Sequence, residues 1–504
     1  MSPEASILAA LLLPAAGTLG ILIAGRFSAN LREAVTLSTA VLLAINVLGL
    51  LSDVLAGARP SVTLTTVVPG IDLAFAVEPL GMLFATIASG LWIVNSLYSI
   101  GYMRGNNEKH QTRFYAFFAI AIIAAMGVAF ASNLFTLYLF YEVLTLSTYP
   151  LVTHKGDENS VRSARVYLGL LLLTSIGFFL PAIIWTYGVA GTGDFADGGI
   201  LAGNISGPAV GILLALYAFG IGKAALMPVH RWLPAAMVAP TPVSALLHAV
   251  AVVKAGVFSI LKVVFYVFGV DFLAATPSAD WLLFAAAFTI LAASLVALRQ
   301  QNLKRLLAYS TCSQLSYIVL AAALFKPLAE VGAVLHIAAH AFAKITLFFA
   351  AGAIYTASKK TELHQLRGIG RRMPWTMAAF TIGALSMIGV PPTGGFVSKW
   401  YMLAGAYEAG SYVAMATIVL STALNAAYFL PIIVLAWFLR EDSTPGSVGA
   451  AAASPVKQDH GEAPFPAVLA LTITAGLTIA IGSIGPALGE ARTAAQALTA
   501  IAQQ

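Results

Sequence analysis

The segment NLFTLYLFYEVLTLSTYPLV, residues 133–152, is long and apolar enough to cross a bilayer, yet it carries one acidic residue, Glu142, near its middle. A transmembrane helix needs about 20 consecutive apolar residues. An ionisable group at the bilayer centre costs about 3 kcal/mol on insertion scales, so such a residue usually faces a cavity, pairs with a charge or exchanges a proton. The segment therefore predicts a membrane-spanning helix with either a functional or a bundle-pairing carboxylate.

The composition of the whole chain also indicates a membrane protein. Of 504 residues, 59% are hydrophobic and only 10% are charged, with a mean hydropathy of +0.88, whereas soluble domains carry about 25% charged residues. The single cysteine, Cys312, excludes a disulfide framework and is expected to be a packing residue. Because no Walker loop, convincing dinucleotide fingerprint or nucleic-acid motif is found, we expect no cofactor and no nucleic-acid partner.

Apolar segments of spanning length recur along the chain and predict an all-α polytopic membrane protein with about fourteen transmembrane helices. They lie near 6–25, 33–53, 78–100, 114–131, 133–153, 164–190, 207–229, 242–270, 281–298, 303–324, 329–356, 376–406, 411–438 and 463–486. Continuous apolar runs without two-residue alternation argue against a β-barrel. The first segment lacks a basic flank and is not expected to be a cleaved signal. Residues 54–77 alternate Thr and Val and predict a short extracytoplasmic strand pair.

The distribution of basic residues predicts the orientation. Loops on one side of the predicted bundle hold 19 Lys and Arg residues, whereas the opposite loops and both tails hold 3. Cytoplasmic loops carry the excess of Lys and Arg, so both termini are expected outside the cytoplasm, in a multi-pass protein of the cytoplasmic (inner) membrane. Residues 439–462 are interpreted as a flexible cytoplasmic linker before a C-terminal helical region, 463–504.

Two blocks of five predicted helices, 114–270 and 281–438, have similar lengths and follow an N-terminal region of three helices, 1–113. An odd number of helices inverts the second block relative to the first. The third helix of each block contains helix-breaking residues and a lysine: GIGKAALMP with Lys223 and GVPPTGGF with Lys399. Interrupted helices at matching repeat positions point to an ion site.

Basic residues at predicted lipid depth form the second part of the candidate site: Lys223, Lys254, Lys262, Lys344, Lys399, His248, His336 and His340. A carboxylate beside a buried lysine stabilises its charge, and separating the two favours release of its proton. His336, His340 and Lys344 share one helix face at four-residue spacing, which fits a proton relay better than a metal site. Lys262 is late in its segment and is interpreted as reaching towards the interface. His230 and Arg231 are as consistent with a solvated helix end as with a gate.

The run GKAALMPVHRWLPAAMVAPTPVSALLHAVAVVKAG, residues 222–256, resembles the signature of the proton-conducting antiporter family. This family comprises the D and A subunits of Mrp-type Na+/H+ antiporters, the antiporter-like membrane subunits of respiratory complex I and kindred hydrogenase subunits. Supporting matches are YSIGYM (98–103), residues 133–152, NLKRLLAYSTCSQLSYI (302–318), HIAAHAFAK (336–344) and GVPPTGGFVSKW (389–400).

The resemblance implies fourteen helices, two inverted five-helix repeats and interrupted seventh and twelfth helices. It also implies roles: Glu142 with Lys223 as its partner, Lys254 with His248 at the centre, Lys344 with His340 as the relay, and Lys399 as the exit residue. Lys399 matches Mrp D and one complex I subunit but departs from the glutamate of another complex I subunit.

Two functions remain open at this stage. The first is a proton-translocating subunit of an Mrp-like monovalent cation/proton antiporter, with other membrane subunits, protons and Na+ or K+ as partners. The second is a pumping membrane subunit of a complex I-like or hydrogenase-like redox assembly. A stand-alone solute symporter is disfavoured, since five buried lysines exceed what one substrate carboxylate needs.

Overall fold

A computed structural model describes residues 2–440 and 461–502, with side chains described through Ser483. Within them, the long and medium helices are α1 (Pro3–Ala24), α2 (Ala29–Leu55), α3 (Pro79–Gly105), α4 (Gln111–Ala129), α5 (Leu134–Val152), α6 (Glu158–Ala190), α7 (Pro208–Gly220), α8 (Thr241–Phe268), α9 (Pro277–Leu298), α10 (Leu303–Ala322), α11 (Pro327–Ser358), α12 (Pro374–Ile388), α13 (Gly394–Glu408), α14 (Tyr412–Trp437) and α15 (Phe465–Ala502). Short helical turns join them at Gly222–Ala224, Val229–Arg231, Trp232–Ala235, Ala236–Val238, Val270–Ala274, Leu363–Leu366 and Ile369–Arg372.

The prediction of an all-α polytopic membrane protein is confirmed. Every predicted segment falls on helical structure, and ten helices of the described residues are long and apolar enough to cross a membrane. Two shorter apolar helices, α7 and α12, belong to the segments that carried helix breakers. Of the predicted linker, residues 441–460 lie outside the described residues. The boundaries of the two five-helix repeats stay a prediction.

The predicted strand pair is present as β1 (Ser61–Val68) and β2 (Ile71–Ala76), which pair antiparallel between α2 and α3. The hairpin is attached to the helices through backbone groups. Ala76 donates its N–H to the carbonyl of Phe130 at the end of α4 (2.8 Å), and Ala74 donates to the hydroxyl of Thr136 in α5 (3.1 Å). These bonds satisfy the edge of β2 and cover one end of the helix bundle.

Burial separates central helices from peripheral ones. In the most apolar stretch of each helix, 94% of α11 and 89% of α8 are buried, compared with 33% for α6 and for α14. The exposed faces of α6 and α14 carry large apolar side chains such as Leu173 and Val419, as a lipid-facing surface requires. Polar side chains on α8 and α11 therefore lie deep in the protein, away from lipid.

Candidate proton-relay site

The first interruption, which we call the first break (residues 221–228), follows α7. Ala225 adopts a left-handed conformation (φ 57°) after a single helical turn, and the indole N–H of Trp232 donates to the freed carbonyl of Gly222 (2.8 Å). Helix α8 packs closely against this turn at Gly256, where an added Cβ would lie 2.3 Å from the backbone of Lys223. The interruption is thus a packed structure with its backbone groups satisfied, as lipid depth demands.

Lys223 is fully buried at the first break. Its ammonium donates to the carbonyl of Tyr141 (2.8 Å) and to the hydroxyl of Thr145 (2.6 Å), and it lies 3.1 Å from the centre of the Tyr141 ring. Two oxygen acceptors and an aromatic face hold the charge in place without a carboxylate.

The expected direct ion pair between Lys223 and Glu142 is not formed. Both carboxylate oxygens of Glu142 are buried and have no hydrogen-bond partner among the described residues. The two charges remain close enough to interact electrostatically, since Lys223 is bonded to residue 141 and to Thr145, one turn further on. Backbone and hydroxyl acceptors win because they lie within reach of the short turn that carries Lys223.

The centre of the molecule joins the two predicted blocks through a direct contact. The ammonium of Lys254, on α8, lies 2.5 Å from Nδ1 of His340, on α11. Both residues are fully buried. Such a distance is a hydrogen bond between two bases, and it requires that at least one hydrogen lies between the nitrogen atoms.

His336 lies one helical turn from His340, with ring centres 6.2 Å apart. Its Nδ1 atom contacts the hydroxyl of Ser398 (2.8 Å), and its Nε2 atom contacts the amide oxygen of Gln314 (3.0 Å). Both ring nitrogens are therefore engaged by side chains, which leaves neither for a metal ion. Nε2 of His340 has no partner among the described residues.

The second break (residues 389–393) separates α12 from α13 and exposes the carbonyls that end α12. Lys399 donates to two of them, Met387 (2.7 Å) and Ile388 (3.1 Å). Its ammonium lies at the negative end of the α12 dipole. An added Cβ at Gly395 would lie 1.8 Å from the carbonyl oxygen of Ser386, so only glycine permits this approach.

The Met387 carbonyl is shared by side chains from two further helices. Gln314 donates to it from α10 (3.5 Å) and Asn425 from α14 (3.3 Å). The hydroxyl of Tyr428 contacts both Asn425 and the hydroxyl of Ser310 (3.1 Å). Ser310 also accepts from Lys344 (2.9 Å). A continuous series of polar contacts therefore connects Lys344 to Lys399.

We call this set of connected groups the polar chain. It comprises Lys254, His340, His336, Ser398, Gln314, Lys399, Asn425, Tyr428, Ser310 and Lys344. Gln314, Asn425, Tyr428 and Ser310 were not identified from the sequence. Uncharged side chains give no signal of their own in an apolar helix pattern, and only the four-residue spacing of Ser310 and Gln314 in α10 hinted at a polar face.

The interpretation of Lys262 as a residue that reaches the interface is wrong. It is buried, and its ammonium forms an ion pair with Glu78 at the start of α3. Phe195 lies over the ammonium at 4.1 Å from its ring centre. The end of α8 is covered by the loop after α6, so a carboxylate inside the protein is nearer than solvent.

A second buried charge cluster was also missed. Arg32 and Glu33 at the start of α2 are 6% and 4% exposed, and Glu33 accepts from Arg32 (3.1 Å) and from Arg104 of α3 (2.5 Å). These residues fall at the edges of predicted segments, where charged side chains usually belong to solvated loops. Their saturated bonding fits a structural tie between α2 and α3.

The remaining predicted residues are placed as follows. His248 is fully buried beside the ring of Phe348 (4.7 Å between ring centres), and neither ring nitrogen has a partner among the described residues. His230 packs near Tyr309 (6.1 Å). Cys312 is buried and unpaired, as a packing residue would be.

This arrangement can hold and pass protons between basic groups. Within hydrogen-bond distance, Lys254, Lys344 and Lys399 have no carboxylate among the described residues. Positive charges near one another in a low-dielectric interior repel strongly. A proton on one member therefore disfavours a proton on the next, which is the condition for transfer along a row of bases.

Two interrupted helices beside buried lysines, together with a lysine–histidine chain, define a polytopic membrane protein with an intramembrane polar site. The chain belongs to the family of NADH:quinone oxidoreductase/Mrp antiporter transmembrane proteins, whose sequence profile matches residues 131–425. The match covers α5, both breaks and about half of α14, and thus every member of the polar chain except Tyr428.

Individual relatives come from several kinds of assembly. The chain is 35% identical over 381 residues to NADH-quinone oxidoreductase subunit N of Desulforudis audaxviator, covering 75% of each protein. It is 34% identical over 346 residues to hydrogenase-4 component B of Escherichia coli, covering 66% of this chain and 50% of the relative. It is 34% identical over 345 residues to a probable K(+)/H(+) antiporter component of Rhizobium meliloti, the A/B polypeptide, covering 67% and 33%. The chain thus spans only half and one third of the last two relatives.

Solved structures share the fold. A chain of the Mrp complex from Dietzia sp. superposes with a TM-score of 0.82 at 24% identity, covering 97% of this chain and 96% of the other. A chain of an archaeal membrane-bound sulfane sulfur reductase gives 0.83 at 23% identity, covering 96% and 95%.

Proposed function

We propose that the protein is a proton-translocating subunit of a multi-subunit, Mrp-like monovalent cation/proton antiporter. The observation that carries this proposal is the polar chain, which runs through the buried centre from Lys254 on α8 to Lys399 at the second break. The relatives supply the context, because an antiporter component is among them.

Glu142, Lys223 and Lys254 serve the first half of the path, with His248 between the halves. Protons cross through His340, His336 and Lys344 and leave by Lys399. Glu142 is placed to influence Lys223 through space rather than by a bond. A proton that arrives near Glu142 therefore changes the charge balance around Lys223, and the change is felt along the row of bases by repulsion.

The test uses everted membrane vesicles from cells that lack their own antiporters and that express the chain with its neighbouring subunits. With a proton gradient imposed, addition of Na+ or K+ is expected to release protons from the vesicles, as followed with a pH-sensitive dye. Vesicles that contain the Lys399→Met variant serve as control. No cation-dependent proton movement, in an assembly shown to be intact, would contradict the proposal.

A second function has a specific observation in its favour. The relative with 75% coverage on both sides is a subunit of NADH-quinone oxidoreductase, so a redox-driven assembly is the alternative. In that case protons would move only when an electron donor is supplied, and added Na+ or K+ would have no effect. The identity of the co-purifying chains separates the two cases, since the redox alternative requires partners that hold electron carriers.

The proposed location is the cytoplasmic membrane, with both termini outside the cytoplasm and the two predicted repeats, 114–270 and 281–438, inverted relative to each other. The asymmetric distribution of basic loops supports this orientation. Reporter fusions test it: alkaline phosphatase fused after residue 502 is expected to be active, and a fusion within 106–110 inactive. The expected partners are other membrane subunits and lipid, because the loops offer little surface.

A further inference from the structure

A cavity of about 220 Å³ opens on the face of the protein where the basic loops gather, next to the start of α8. Its wall includes Lys155, Asp157, Lys304, Lys360, Tyr102 and Thr241. It is large enough for several water molecules, and its charged wall makes it wet. The resemblance assigned no role to Lys304, Thr241 or this cavity.

Lys304 lies at the inner side of the cavity, where its ammonium donates to the carbonyl of Ala239 (2.6 Å) in the turn before α8. Glu108 and Lys155, from the loops before α4 and α6, interact with it electrostatically. Glu108 is itself partly buried, and burial raises the pKa of its carboxyl group above the usual value. Titratable groups from three different parts of the chain thus gather at the mouth.

Polar groups continue inward from the cavity along one face of α8. Thr241, Ser244 and His248 follow at three- and four-residue spacing, which places them in a row. The hydroxyl of Ser244 and both ring nitrogens of His248 are buried without a hydrogen-bond partner among the described residues. The side-chain oxygen of Asn95, on the neighbouring α3, is in the same condition.

Buried polar atoms in folded proteins nearly always have a partner, and where no protein group serves, ordered water does. Four such atoms on α3 and α8 therefore indicate a hydrated path rather than a dry contact. His248 lies within a π-helical segment, Leu246–Val250, whose wider turn leaves backbone and side chains less tightly packed and recurs at functional sites.

The inner end of this row reaches the polar chain. His248 packs on Phe348, one turn beyond Lys344 on α11, and its charge interacts with both Lys344 and Lys304. His248 thus stands between the cavity and a lysine of the polar chain, and both of its ring nitrogens are without a partner among the described residues.

The geometry points to a water-filled inlet that runs from the Lys304 cavity past Ser244 and Asn95 to His248 and delivers protons to Lys344. It rests on the proposed function and adds a second supply route that bypasses Glu142 and Lys223. In the transfer, a hydronium ion in the inlet gives a proton to one nitrogen of neutral His248. The resulting imidazolium releases its other proton to the neutral amine of Lys344, and no further reactant is needed.

The test exploits the single cysteine. In a Cys312→Ala background, Ser244→Cys and Thr241→Cys are introduced separately, and Ag+ in chloride-free buffer is added to one side of the vesicles at a time. Ag+ binds thiolates, which form only where water reaches. Ser259→Cys is the matched control, because Ser259 is equally buried on α8 but donates to the carbonyl of Ala255 (2.7 Å).

Reaction of Ser244→Cys and Thr241→Cys, from the face of the basic loops only, is expected, with Ser259→Cys unreactive. Cation-driven proton movement should then fall at least about tenfold in Ser244→Cys, as for loss of a proton-transfer step. An unreactive Ser244→Cys beside a reactive Thr241→Cys, or reaction from the opposite face, would overturn the inlet. So would reaction without loss of transport. Thiol labelling does not need transport, so failure of the proposed function would show separately, as labelling of vesicles that never exchange protons.

Discussion

The two breaks carry the same sequence pattern, a lysine beside glycines and prolines, but they hold their lysines differently. At the first break, Lys223 ends on the carbonyl of Tyr141 and the hydroxyl of Thr145, and no described side chain links it to Lys254. At the second break, Lys399 shares the Met387 carbonyl with Gln314 and Asn425, which belong to the polar chain.

The difference separates two ways of coupling charge in a low-dielectric interior. Hydrogen-bonded groups pass a proton directly, but only over a short distance. Charges that lack a bonded path still influence one another, because interactions in the interior are weakly screened. The second break is therefore suited to carrying protons, and the first break to responding to a charge on Glu142.

The largest expected effect is at the residue that joins the two halves. Lys254→Met removes the contact with His340 and should lower cation-driven proton movement by about a hundredfold or more, because the transfer step loses its base. The control is the double variant Glu78→Gln/Lys262→Met, which removes both partners of an ion pair on the same helix. Assembly is checked by co-purification in both. Equal loss in the two would show that α8 needs any buried lysine, not a relay at position 254.

The fold could be predicted from the sequence because the bilayer leaves few alternatives: apolar runs of the right length are helices. The positions of the breaks followed from Gly and Pro, whose backbone properties are local. The partners of the buried charges could not be predicted in the same way. Lys262 found Glu78, 184 residues away, and Lys223 found a backbone carbonyl in place of Glu142. Such choices depend on distances of a few ångströms between helices that no single segment encodes.

A smaller effect is expected from the pair at the first break. Glu142→Gln and Lys223→Met should each lower transport about tenfold or more, with assembly retained. Because the two groups act in one charge-coupled step, the double variant Glu142→Gln/Lys223→Met should be no worse than the poorer single variant. Transport retained in either single variant would remove this pair from the pathway, and effects that multiply would show that the residues act independently.

Asn425→Leu tests the shared carbonyl at the second break with a smaller expected effect. It removes one bond to Met387 (3.3 Å) and the contact with Tyr428, but Lys399 keeps its two carbonyl acceptors. A neutral hydrogen bond contributes about 1 kcal/mol, so transport should fall about fivefold. Ser421→Ala on the same helix is the control, since Ser421 lies 3.4 Å from Ser294, away from Met387. A loss as large as that of Lys254→Met would place Asn425 among the proton carriers.

The smallest effect concerns stability outside both breaks and should leave transport at neutral pH unchanged. His154, in the loop after α5, is buried near Arg113, and burial together with that charge lowers the pKa of its imidazole to about 4. An unfolded histidine has a pKa of about 6.5. Between these values the unfolded state binds a proton that the folded state does not, so stability falls as the pH drops from 7 towards 4.

His154→Phe removes this pH dependence, which amounts to about 2 kcal/mol between pH 7 and pH 5. The thermal unfolding midpoint of the purified assembly should therefore fall less on acidification in the variant than in the unmodified protein. The exposed His364 provides the control, since His364→Phe should leave the pH dependence as it was. If transport at pH 7 also fell in His154→Phe, the loop after α5 would act on the first break, and the division between a charge-sensing break and a proton-carrying break would need to extend to it.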